Sequence, residues 1–205
     1  MFGIFKKKEK IEGYLRCFSL EDWWLTTFSE SERRHIENTI APNEQGSYLT
    51  KGGILGGSQT KLRMIASLAT RFGKEDGPYL FKKIMDEAEK LLQENHSVID
   101  AHFLYQRKLE TWYKNRGRWP NAIEQAKQAC RQQIAISERA AKEFRKEYEG
   151  IDLFGHAGYQ QLSRILEEEE NFTEVVKLCH EAQVQGWAGD WKKRAERCRK
   201  KMQVA

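Results

Sequence analysis

The chain has 205 residues, 32% of them charged and 40% in the hydrophobic set, a profile of long helices with solvated outer faces around a buried core. Its 35 Lys+Arg against 30 Asp+Glu leave a net charge of +5, too mild to demand a nucleic-acid partner. No apolar run approaches the roughly 20 residues of a membrane span.

The opening MFGIFKKKEK has a basic run but no apolar segment long enough for a signal peptide, and reads as a charged terminus. Ile11, Tyr14, Leu15 and Phe18 keep one-face helical spacing. Ser19 with Asp22 then predicts a capped helix whose inner stripe is Leu20, Trp23, Trp24, Thr27 and Phe28. Adjacent tryptophans at this spacing read as core anchors and not as a stacking platform. Ser29 with Glu32 is a capping-box signature, and opens a helix through Arg33, Ile36 and Ile40.

Residues 41–57 form one long irregular segment, ending in the run Gly52 to Ser58. Glycines before a helix can cradle an anion, but a P-loop needs Lys and then Ser/Thr after the last glycine. Here Gly57 is followed by Ser58-Gln59 with no strand before it, so the segment reads as a connector. The expected division is residues 1–57, an N-terminal helical cap with a glycine-rich connector, and residues 58–205, a run of helices.

Leu62, Ile65, Leu68, Ala69 and Phe72 line a first face, with Gly73 as a left-handed stop. Pro78 restarts a helix facing inward through Phe81, Ile84, Met85, Ala88, Leu91 and Leu92. The next helix carries Ala101, Tyr105, Leu109, Trp112 and Tyr113 and is expected to end at Gly117. The chain turns at Trp119-Pro120 and returns from Asn121 past Ile134, with Ile123, Ala126, Ala129 and Cys130 inward. Ala141, Phe144 and Tyr148 continue that helix or begin another near Ser137. After a loop at 150–155, Tyr159, Leu162, Ile165 and Leu166 pair across a turn with Phe172, Val175, Val176, Cys179 and Ala182. Asp190 opens a final helix with Trp191, Ala195, Cys198 and Met202 on one side and seven Lys/Arg on the other.

A repeat runs through this pattern. Leu68, Leu109 and Leu162 are each followed by Phe72, Tyr113 or Leu166 four residues on, and by Ala88, Ala129 or Ala182 twenty residues on. Residues 109–129 and 159–182 show it best. This resembles the tetratricopeptide repeat, a pair of antiparallel helices, over roughly residues 58–187, and the whole chain resembles bacterial cytosolic repeat proteins. The units start 41 and then 53 residues apart, against about 34 in that family. Glu110 and Ser163 stand where the family places glycine, and bulk at Glu110 is expected to open its helix pair. The resemblance implies an all-α fold, a short α-solenoid of tetratricopeptide-like hairpins. Such units need neighbours and end caps, which the N-terminal helices and the final helix would supply.

Catalytic chemistry finds little support. Glu32-x-x-His35 has the one-turn spacing of helical di-iron sites, but no second such motif exists. Cys179-His180 puts neighbouring side chains on different helix faces, where nucleophile and base cannot meet. Cys17, Cys130, Cys179 and Cys198 have no CxxC spacing, which fits a reducing cytoplasm without structural disulfides. No metal or cofactor is expected. The function expected is a non-catalytic scaffold for a protein or peptide, an acidic one in particular. The family resemblance implies a groove lined by the first helix of each hairpin, here through Arg107, Thr111, Lys114, Gln160, Arg164 and Glu167. Arg107, Lys114 and Arg164 would form a cationic clamp. The alternative is nucleic-acid binding through the basic final helix beside Trp187 and Trp191. Self-association through solenoid ends or grooves is left open.

Overall fold

The computed structural model describes residues 10–41, 48–52, 60–73, 78–94 and 97–204. Their regular structure is helical, as expected: α1 (Gly13–Cys17), α2 (Glu21–Thr27), α3 (Glu30–Ile40), α4 (Lys61–Arg71), α5 (Pro78–Glu94), α6 (Val98–Lys114), α7 (Ala122–Ala135), α8 (Ser137–Glu147), α9 (Ala157–Glu168), α10 (Phe172–Val184) and α11 (Trp191–Val204). No strand occurs among the described residues; a parallel bridge joins Gly155 to Ala188. None of these helices is long and apolar enough to cross a membrane. The chain divides into two compact units, Met1–Lys61 and Leu62–Ala205.

In the first unit the start of α1 is satisfied by chain and not by a side-chain cap. The N–H groups of Glu12, Tyr14 and Leu15 donate to the carbonyls of Thr50, Tyr48 and Leu49 at 2.8, 2.9 and 3.0 Å. This close approach requires Gly13, at φ +63, where a Cβ would lie 2.5 Å from the Tyr48 oxygen. Ser19 is not a cap: it takes a left-handed φ of +54 and closes the turn after α1, and Leu20 leads into α2 without a side-chain cap bond. The Ser29–Glu32 capping box forms in both directions. Leu15, Leu20, Trp24, Phe28 and Ile36 make the core. Trp24 is a core anchor, and its neighbour Trp23, only half-buried, meets Phe28 edge-on at 5.1 Å. Of the glycine run, Gly52 has φ +88, and 53–58 lie outside the described residues.

In the second unit, Pro78 occupies the first turn of α5, where its missing N–H costs nothing. Gly73 ends α4, but not through a left-handed φ. Its value is closeness, since a Cβ there would sit 3.2 Å from the Thr111 methyl on α6. Nor does Gly117 end α6. Asn115 does, buried, with its amide donating to the Thr111 carbonyl at 2.8 Å and its oxygen accepting from Arg118 at 2.8 Å. Trp119 then folds back, buried, against Trp112 and Phe81 with ring centroids 5.2 and 5.6 Å away.

Helices pack in sequence: α5 on α6, α6 on α7, α7 on α9, α9 on α10, α10 on α11. The exception is α8, which starts afresh at Ser137 and packs on α6 and α7. With the loop to His156, it lies within the 53 residues that separate Leu109 from Leu162. Glu110 does not wedge a helix pair apart, as expected from its bulk. It is exposed, accepting from Gln106 one turn earlier at 2.8 Å, and α6 packs closely on α7. Ser163, by contrast, is buried.

Two buried polar contacts fasten α6. Lys108 reaches Glu89 on α5 and Gln132 on α7. Gln133, fully buried on α7, donates to the His102 carbonyl on α6 at 2.9 Å and accepts from the Gly158 N–H of α9 at 2.7 Å. A Cβ at Gly158 would meet the Gln133 oxygen at 2.8 Å and the Cys130 carbonyl at 3.0 Å. Gln133→Leu strands a buried donor, so we expect a loss of about 2 kcal/mol and a melting temperature lower by roughly 4–8 °C. Thermal denaturation of the two proteins checks this.

Candidate functional site

Of the six residues expected to line a groove, the structure leaves four outward. Arg107 and Lys114 lie exposed two turns apart on α6. Thr111 between them is buried, because its methyl packs against Gly73 at the end of α4. It therefore takes no part in a surface. On α9, Gln160 and Arg164 are exposed. Glu167 is not: its carboxylate holds Arg194 at 3.0 Å and Arg197 at 2.7 Å on α11, with the side chain only 15% exposed. It serves to dock α11. Among the described residues, Lys114 and Arg164 have no ion-pair partner, and Arg107 makes one long hydrogen bond, to the Ser67 hydroxyl at 3.4 Å. Three of the expected cations, two on α6 and one on α9, thus remain exposed.

The basic face of α11 is partly spent within the chain. Arg194 and Arg197 serve Glu167, and the Lys201 ammonium sits 5.2 Å over the Phe172 ring. Lys192, Lys193, Arg199 and Lys200 remain exposed. Both neighbouring tryptophans are buried. Trp187 donates to the Gln185 side chain at 2.9 Å and Trp191 to the Trp187 carbonyl at 2.6 Å. Neither presents a face for a base to stack on.

The histidines are scattered in sequence but two converge. His35 and His180 are exposed, and His96 lies outside the described residues. His102 and His156 are fully buried with ring centroids 4.9 Å apart at 86°. His102 stacks on Trp187 at 5.4 Å and 13° and meets Phe144 edge-on at 5.3 Å. His156 caps α9, its Nδ1 accepting from the Tyr159 N–H at 3.2 Å. Both nitrogens of His102 and Nε2 of His156 are without hydrogen bonds. Burial lowers His102 to about 4. Burial, followed by the charge of His102, lowers His156 to about 3. Both imidazoles are neutral, and no third ligand joins them: no group of three metal-ligating side chains exists among the described residues. Cys179 is buried and His180 exposed, so that pair diverges as the helix geometry predicts. Glu32 is engaged in its capping box.

Sequence reasoning missed a surface beside Arg107. Phe103, Tyr148, Ile151 and Phe154 are exposed, although Tyr148 continues the inward spacing of Ala141 and Phe144. The helix ends at Glu147, so the periodicity no longer applies to Tyr148. A cleft of about 310 Å³ between α4 and α6 opens against Phe103, Tyr148 and Arg107.

The buried histidines carry a pH consequence. Their folded values lie below the ordinary 6.5, so the unfolded chain binds more protons in acid. Stability is retained above about pH 6.5 and falls as pH drops toward 4, by up to about 1.4 kcal/mol per pH unit for each histidine. A His102→Phe variant, apolar within the same ring cluster, should show a shallower decline of melting temperature from pH 6.5 to 4.5 than wild type. Equal slopes would mean that His102 titrates alike in the folded and the unfolded chain. No protein-family model, curated protein or solved structure matches this chain.

Proposed function

We propose that the protein is a non-catalytic scaffold that binds a protein or peptide partner across the outward faces of α6 and α9. One observation carries the reading: Arg107, Lys114 and Arg164 stand exposed on these helices, and Lys114 and Arg164 lack ion-pair partners among the described residues. Most cations near them in the chain are used internally, as at Lys108 and Lys127. Exposed cations without an internal ion pair fit an acidic partner segment, because guanidinium groups bind carboxylates through paired donors.

The stacked order of α5, α6, α7, α9, α10 and α11 supports the tetratricopeptide-like reading, with α8 as an insertion. In a solenoid of that kind, first helices line one face, and α6 and α9 are the first helices of their pairs. The free cysteines, three of them buried, fit a reducing cytoplasm. The nucleic-acid alternative keeps its four exposed cations on α11 but has no aromatic platform there.

Affinity capture from native lysate, comparing wild type with the Arg107→Glu/Lys114→Glu/Arg164→Glu variant, tests the reading. The expected result is a protein partner lost by more than roughly tenfold in the variant, with the melting temperature unchanged. Equal recovery by both forms would remove the cationic face from the site. Nuclease-sensitive recovery by both would favour α11.

A further inference from the structure

Four of the eight exposed large hydrophobic side chains among the described residues gather at one place: Phe103, Tyr148, Ile151 and Phe154, at 36, 46, 66 and 42% exposure. Isolated surface hydrophobics need no explanation, but a cluster does. Phe103 and Phe154 stack with centroids 6.3 Å apart at 12°. Phe144 underlies both, at 5.8 and 4.9 Å. Ile151 is held beside Tyr148 by a hydrogen bond to its carbonyl at 3.2 Å. The rings are thus braced from below with their outer edges in solvent.

The cluster borders the cleft between α4 and α6. Leu62, Ala66 and Leu104 are buried in its lining, and Phe103 and Tyr148 also line it. At about 310 Å³ it stands at the lower limit of ligand sites, roughly 300–1,000 Å³. Its polar side holds three charges. Arg63 and Asp100 neutralise each other at 2.8 Å, which leaves Arg107 with only its long bond to Ser67. One uncompensated guanidinium therefore faces a site whose other walls are mostly aromatic and aliphatic.

We propose that this cleft takes an aromatic side chain of an acidic protein segment, with a neighbouring carboxylate of that segment on Arg107. The proposal rests on the scaffold reading and gives its partner a chemistry. Charge complementarity favours a peptide over a nucleic-acid strand. A strand carries a phosphate at every nucleotide and is gripped by several cations, whereas this cleft presents one net positive charge. An aromatic anchor removes a large apolar area from water at little entropic cost, and a single carboxylate satisfies Arg107 through two donors.

The test uses the full chain and fluorescence anisotropy with a short labelled peptide, a central tryptophan among aspartates and glutamates. Comparison probes replace the tryptophan by serine, or the acidic residues by lysine; a single-stranded oligonucleotide serves as competitor. Wild type should bind the acidic tryptophan peptide at least about tenfold more tightly than either comparison peptide. Arg107→Glu, and separately Tyr148→Ser/Ile151→Ser, should each weaken that binding about tenfold without shifting the melting temperature, since these side chains are exposed. No binding of the tryptophan peptide, equal binding of the serine peptide, or indifference to the Tyr148→Ser/Ile151→Ser change would overturn the proposal, as would displacement by the oligonucleotide. If the peptide fails while a Lys114→Glu/Arg164→Glu variant still loses the partner captured from lysate, the aromatic anchor is wrong and the scaffold reading stands.

Discussion

One amide joins three helices. Gln133 is fully buried on α7 and spends both ends of its side chain, donating to α6 and accepting from the first turn of α9. Away from water such a group is tolerated only when its partners are present, and those partners are then bound to a fixed separation. Gly158 has no Cβ because the Gln133 oxygen and the Cys130 carbonyl occupy that space. His156 caps α9 from the adjoining position, which sets where the chain must enter the helix. The spacing of α6, α7 and α9 follows from this node, with apolar packing around it.

The same region receives α8. α8 does not join the consecutive stack. It lies on α6 and α7 and contributes Phe144 to a ring cluster that includes His102, Phe103, Phe154 and Trp187. Trp187 follows α10 and Phe154 follows α8, so the cluster ties the loop at 150–156 to α6 and to the end of α10. The Ala188 N–H bond to the Phe154 carbonyl at 3.2 Å fastens it. Rings at the edge of such a cluster keep solvent-facing margins, and so α8 and the loop after it make the aromatic surface next to Arg107.

Internal pairing decides which charges remain available to a partner. Glu167 draws Arg194 and Arg197 onto α9, and Lys127 bridges Glu124 and Glu169. These contacts are partly exposed and individually weak. Their consequence is selective: they take Arg194 and Arg197 from the basic face of α11, while Lys114 and Arg164 on the outward faces stay unpaired among the described residues.

Amphipathic spacing made most of the helices legible, because burial of one face requires apolar residues at a 3.6-residue period whatever the partner. Leu62 to Phe72, Tyr159 to Leu166 and, apart from the half-buried Leu91, Phe81 to Leu92 are buried where that spacing put them. The Ser29–Glu32 box was equally readable, since both of its partners lie within one turn. What the sequence could not determine depended on contacts between distant residues. Ser19 has a capping side chain but is left-handed, because the turn after α1 sets its backbone. Gly73 and Gly158 are needed for closeness to Thr111 and Gln133, far away in the chain. Thr111 and Glu167 sit on outward-looking positions and are claimed by α4 and α11. The helical hairpins, their order and their inward stripes are local matters of periodicity and capping. Which polar atoms meet in the core, which charges are spent, and which aromatic rings remain in solvent were decided only when the helices packed.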